Sequence, residues 1–157
     1  MTRLRGRAQR GQRVHGSAPQ GHWHVTTLLG ALRLDGSTAC MAMEGATDAE
    51  VFQAYVREVL CPIIRPGDTV IMDNLPPHKD ALSLSLLARA GAEVLFLPAY
   101  SPDLNPIEKM WSKVKGLLRS AEARTQEALH QAIASALAKV TRQDAINWFA
   151  SCGYSFI

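Results

Sequence analysis

An α/β fold is predicted by three features of this sequence. Two β-type segments flank Leu34-Asp35-Gly36-Ser37, two short apolar runs read as buried strands, and amphipathic stretches at helical spacing alternate with those runs. Each element can be justified in order. The segments near residues 23 to 33 and 38 to 43 are rich in β-branched and apolar residues, and Asp35-Gly36 between them is a strong hairpin signal. Next, Phe52, Val56, Val59 and Ile63 recur at helical spacing after Thr47 and Glu50, which read as a Thr-x-x-Glu capping box. That helix is expected to end at Pro66-Gly67. "DTVIMDN" then reads as a short buried strand, "DALSLSLLARAGA" as a helix closing at Gly91, and "EVLFLPAY" as a strand stopped by Pro98. Beyond "SPDLNP", the apolar face of Ile107, Met110, Trp111, Val114, Leu117 and Leu118 predicts a helix. Two more are expected around residues 126 to 140 and 142 to 151, N-capped by Thr125 and Thr141.

The chain has 157 residues, 47% apolar and 20% charged, enough for one globular domain with its own core. Three cysteines without a Cys-x-x-Cys spacing suggest neither a disulfide framework nor a thiolate zinc site, and a reducing cytoplasm fits best. No apolar run approaches the roughly 18 residues of a membrane span. The net charge of +3 is uneven. Arg3, Arg5, Arg7, Arg10 and Arg13 lie within the first 13 residues with no acid among them. We therefore divide the chain into a basic arm over residues 1–20 and an α/β domain over 21–157. Such an arm can neutralise phosphates without reading sequence, and it can equally be a solvated terminus.

Asp73 follows the apolar run ending at Met72, which puts it at the carboxyl end of a strand, the edge where open α/β sheets bind ligands. Glu108 follows Pro106 in the first turn of a helix, after the next strand has returned the chain to that same edge. Two carboxylates so placed can share a hard divalent cation with substrate phosphate. The same residues have plainer readings. Asp-Asn after a strand makes a turn, a first-turn Glu complements the helix dipole, and His78-Lys79 fits a polar loop. Trp111, on the apolar face, reads as core rather than as a base-stacking platform.

"IMDNLPPHK" followed by "FLPAYSPDLNPIEKMWSKVK" resembles the second and third acidic motifs of bacterial insertion-sequence transposases of the mariner superfamily, which are DDE endonucleases. The likeness runs from about residue 3 to residue 154 and includes "RGRAQRGQRV", "GHWHVTTLLGAL" and "NWFASCGY". The 34 residues between Asp73 and Glu108 are themselves characteristic of the superfamily.

The resemblance implies a ribonuclease H-like mixed sheet flanked by helices with a helical C-terminus. It makes Asp73 and Glu108 the second and third catalytic acids and ligands of Mg2+ or Mn2+, with Asn74, His78 and Asn105 as supporting polar residues. It also implies DNA, both transposon ends and target, as substrate, with the five arginines of the arm and Lys113 and Lys115 as contacts. The expected location is the bacterial cytoplasm, on the nucleoid when bound to DNA. The family's first acid lies on a central strand just upstream of "MTRLRGRAQRG", and Asp35, Asp48 and Asp68 fall in turns or at a helix start instead of ending a strand beside Asp73. The expectation is therefore a truncated domain, inactive alone, that forms a homodimer or pairs with an upstream transposase segment. The other functional class is a non-catalytic fragment that binds DNA or transposase.

Overall fold

The computed structural model describes residues 6–15 and 25–155. Strands β1 (Thr26–Leu32) and β2 (Thr38–Glu44) form an antiparallel hairpin in which Leu29 faces Met41. Asp35-Gly36 makes the turn, as expected. Gly36 N–H donates to Arg33 O at 3.0 Å, and Arg33 N–H donates to Ser37 O at 2.9 Å. Gly36 has φ 87°, the left-handed position that ends this kind of hairpin loop, and a Cβ there would stand 2.6 Å from the Arg142 backbone nitrogen.

Helix α1 spans Ala49–Tyr55 and continues through a π-helical turn, Val56–Leu60, and a 3-10 turn, Cys61–Ile63. Its N-cap corrects the expectation of a capping box at Thr47. Asp48 is the cap, accepting from Val51 N–H at 2.9 Å, while Thr47 Oγ1 is buried with no hydrogen-bond partner among the described residues. Pro62 lacks an N–H to continue the α- and π-type ladder, and the last turn is 3-10, ending at Ile63 where Ile64 turns extended, short of Pro66-Gly67.

Strand β3 (Thr69–Met72) is followed by a 3-10 turn, Pro76–Lys79, and by helix α2 (Ala81–Arg89), capped by Asp80. Strand β4 (Glu93–Phe96) pairs with β3 in parallel, Val70 against Val94 and Met72 against Phe96. A 3-10 turn at Pro102–Leu104 leads into α3 (Pro106–Ala121), then α4 (Gln126–Leu137) and α5 (Arg142–Ser151). Thr125 and Thr141 cap the last two as anticipated, and Thr141 with Asp144 closes a reciprocal capping box.

The chain separates into two compact units, Met1–Trp23 with Trp111–Lys139, and His24–Met110 with Val140–Ile157, the boundary falling inside α3. In the first, Val114 and Leu118 of α3 and Ile133 and Ala136 of α4 are buried. The second holds both sheets around one core of Phe52, Tyr55, Val56, Leu60, Met72 and Leu87, with Leu29, Ala31 and Met41 packed on it from the hairpin and Val70, Val94 and Phe96 from the parallel pair. Tyr55 Oη donates to the buried Ala39 carbonyl at 3.0 Å and so pins α1 to β2.

The fold is mixed α/β. Among the described residues there are two separate two-stranded sheets. The ladder explains which groups this leaves open. Val25 and Arg33 hydrogen-bond toward β2, so by alternation Thr26, Leu28, Gly30 and Leu32 turn their backbone groups to the other side. Asp68 and Met72 carbonyls accept from β4, so Thr69, Ile71 and Asp73 turn theirs away from it. The guanidinium of Arg33, just past β1, grips the carboxylate of Asp68, just before β3, at 2.6 and 3.0 Å.

Candidate active site

Asp73 takes the position expected of it, directly after β3, whose last residue Met72 is buried. Its Oδ1 accepts from Leu75 N–H at 3.1 Å, a tight local turn, and lies 2.7 Å from His78 Nδ1. The side chain of Asp73 remains 45% exposed, whereas that of His78 is only 19% exposed. The imidazole packs on Phe52, whose ring centroid lies 4.6 Å from its own. His78 is thus held between the core and the carboxylate, and the 3-10 turn begun by Pro76-Pro77 sets it there. This is a more committed role than the polar loop read from the sequence.

Asn74 Nδ2 donates to the Leu97 carbonyl, and Leu97 N–H donates to Met72 O at 2.9 Å. These bonds stitch the loop after β3 to the loop after β4, at the shared carboxyl edge of the parallel pair. Lys79 Nζ lies 6.0 Å from the Phe96 ring centroid, a cation–π distance.

From Leu97 the chain runs through Pro102–Leu104 to Asn105, which is buried. Asn105 N–H donates to Pro102 O at 3.1 Å, and its own carbonyl accepts from Glu108 N–H at 3.1 Å, so it joins the 3-10 turn to α3. Tyr154 Oη fastens the same loop by donating to Leu104 O at 2.9 Å. Glu108 stands in the first turn of α3 with an exposed side chain. Its carboxylate has no hydrogen bond or ion pair among the described residues.

The structure therefore brings Asp73, Asn74 and His78 together and leaves Glu108 as an open carboxylate on the helix that follows. Oxygen donors of this kind suit a hard cation: Asp73 engages its neighbours through Oδ1, and Glu108 is uncommitted among the described residues. Among the described residues no group of three or more His, Cys, Asp or Glu side chains converges on a common point.

Of the expected DNA contacts, Arg3 and Arg5 lie outside the described residues. Arg7, Arg10 and Arg13 are exposed and have no acidic partner among the described residues. The segment turns at Gln12 N–H to Gln9 O, 3.0 Å, with Gly11 at φ 88°. Lys115 is exposed, whereas Lys113 Nζ donates to the Lys139 carbonyl at 2.8 Å. The sequence assigns no site role to three residues: Phe52, read there as part of a helix face, supports the imidazole, and Leu75 and Tyr100 are exposed on the loops after β3 and β4.

An α/β domain with an acid at the carboxyl end of a parallel strand pair is of the kind that places its chemistry at that edge. The match to a family model described as DDE superfamily endonuclease covers residues 1–130, and the chain belongs to that family. Membership makes it a transposase- or nuclease-type domain, for which DNA is the class of substrate. No curated protein shows significant similarity to the chain. Among the described residues no helix is long and apolar enough to cross a membrane.

Proposed function

We propose that this chain is the DNA-cutting and joining domain of an insertion-sequence transposase of the mariner superfamily, with Asp73 and Glu108 as two of its metal-binding acids. The observation that carries this reading is Asp73 at the carboxyl end of β3 with a carboxylate oxygen left open, in a chain of the DDE endonuclease family. Mg2+ or Mn2+ held by Asp73 and Glu108 would supply a water of lowered pKa and neutralise charge on a phosphodiester. The remaining work belongs to the chain itself. His78 orients the Asp73 carboxylate from its seat on Phe52, Asn74 fixes the spacing of the two loops, and Asn105 sets the start of the helix that presents Glu108.

The metal assignment is tested with Mn2+ and isotopically labelled protein. Paramagnetic broadening should concentrate on amides around Asp73 and Glu108, and Asp73→Asn or Glu108→Gln should weaken it by about tenfold or more, since each removes one of few charged ligands. Broadening centred elsewhere, or unchanged by both substitutions, would refute the assignment.

A second element of the reading concerns completeness. We infer that residues 1–157 cleave DNA poorly by themselves and become competent with an upstream transposase segment that contributes a strand and a third acid. The open edges of β1 and β3 support it, because both sheets rest on one core and yet share no hydrogen-bonded strand among the described residues. The competing possibility, a fragment that binds DNA or transposase without chemistry, predicts that no added segment restores cutting.

A further inference from the structure

Among the described residues of the second unit, Tyr100 is the non-glycine residue with a left-handed backbone. It lies in the loop between β4 and α3, it is 102% exposed, and its φ is 57°. A bulky side chain rarely adopts that left-handed backbone, and such residues persist only where their surroundings impose the conformation. The surroundings here do so from both sides. Before Tyr100, Leu97 is buried and hydrogen-bonded to Met72 and Asn74. After it, Leu104 N–H donates to Ser101 O at 3.2 Å, Tyr154 holds the Leu104 carbonyl, and Asn105 is buried.

The fold gains nothing from the ring itself. It removes no apolar surface from water, and its hydroxyl has no partner among the described residues. A strained aromatic displayed on a loop anchored at both ends calls for a ligand with a flat apolar face. The loop springs from the edge that carries Asp73, and Leu75, 53% exposed, stands on the neighbouring loop beside that acid. We propose that Tyr100 is a positioning residue that stacks on an unpaired base of the DNA next to the phosphate being processed. The inference rests on the DNA reading above. It adds that the substrate at this edge carries at least one base outside the double helix, because only an unstacked base offers its face to an aromatic side chain.

The test uses the full chain, a duplex with a single-stranded flank bearing a fluorescent adenine analogue, and the same duplex fully paired. Tyr100→Ala and Tyr100→Gly should weaken binding of the flanked DNA by about 5- to 100-fold and abolish quenching of the analogue, the range expected when one base–aromatic stack is removed, while Tyr100→Phe stays within about twofold. Binding of the fully paired duplex should change by no more than about twofold in all three. Tyr100→Gly should also raise the melting temperature, since glycine relieves the backbone strain; a purely structural tyrosine would lower it. Equal binding of the flanked DNA by Tyr100→Ala and the unsubstituted chain, or an equal weakening on both DNAs, overturns the stacking role and leaves the DNA reading intact. Failure of the unsubstituted chain to bind either DNA overturns both.

Discussion

Asp68 and His78 show how much of this fold depends on contacts between residues far apart in sequence. Arg33 reaches Asp68 with two guanidinium nitrogens, and it holds the Asp68 carboxyl down at about 2, with the Arg65 backbone N–H adding to the effect. A carboxyl depressed in the folded state stabilises the fold above its unfolded value, about 4, and that stability disappears as the pH falls through the folded value. Replacing Asp68 with Asn should therefore cost about 1–2 kcal/mol at pH 7, below full conversion because both partners remain partly exposed to solvent, and close to nothing near pH 2. Urea unfolding of both proteins at the two pH values measures it. An equal cost at both would mean that the pair's charge contributes nothing. Neither this pair nor the seat of His78 on Phe52 was legible in the sequence: Arg33 to Asp68 and Phe52 to His78 are contacts that only the folded chain brings about. Asp73 was legible because it depends on a local transition, an apolar strand giving way to a polar turn.

At the level of elements, signals confined to one turn of chain are the readable ones. Thr125 and Thr141 cap their helices through side chains that accept from Ala128 and Asp144 N–H, a geometry set within three residues. The cap expected at Thr47 falls one position later because Asp48, next in line, satisfies the same helix end with a charged oxygen, and Asp and Thr are both good caps. Strand pairing between sheets is not readable in this way, since it depends on what else is available to pair. The open edges lead to a specific expectation. In the chain alone, amides of Leu28, Gly30, Thr69 and Ile71 should exchange with solvent at least about tenfold faster than those of Leu29, Ala31, Val70 and Met72, which the ladders hold. Adding an upstream segment of the kind proposed above should slow the first set and leave the second nearly unchanged. Slow exchange at the first set without any addition would show that the edges are already satisfied, and the strand-acceptor reading would then fail. Unpaired edges of this kind also favour aggregation, so the same addition should raise solubility.

Across the whole molecule, charge is the property that sequence exposes most directly. The arm carries five arginines and no acid, and its described part is exposed throughout, with Arg7, Arg10 and Arg13 lacking acidic partners among the described residues. A guanidinium without a protein anion beside it can exchange its counterion for a phosphate, and each such exchange releases salt. Lys113 is less available, because its ammonium already donates to the Lys139 carbonyl. The arm should therefore contribute more to DNA binding than the α3 lysines. Substituting Arg7, Arg10 and Arg13 together by alanine is expected to weaken binding to all sequences alike and to flatten the slope of log affinity against log salt by up to about 0.9 for each phosphate no longer neutralised. Lys113→Ala with Lys115→Ala should have the smaller effect. Binding isotherms at four or five salt concentrations, on two DNAs of unrelated sequence, give both the uniformity and the slope. If the arginine substitutions leave the slope unchanged while the lysine pair reduces it, the arm is only a solvated segment, and the phosphate contacts run along the exposed side of α3 instead.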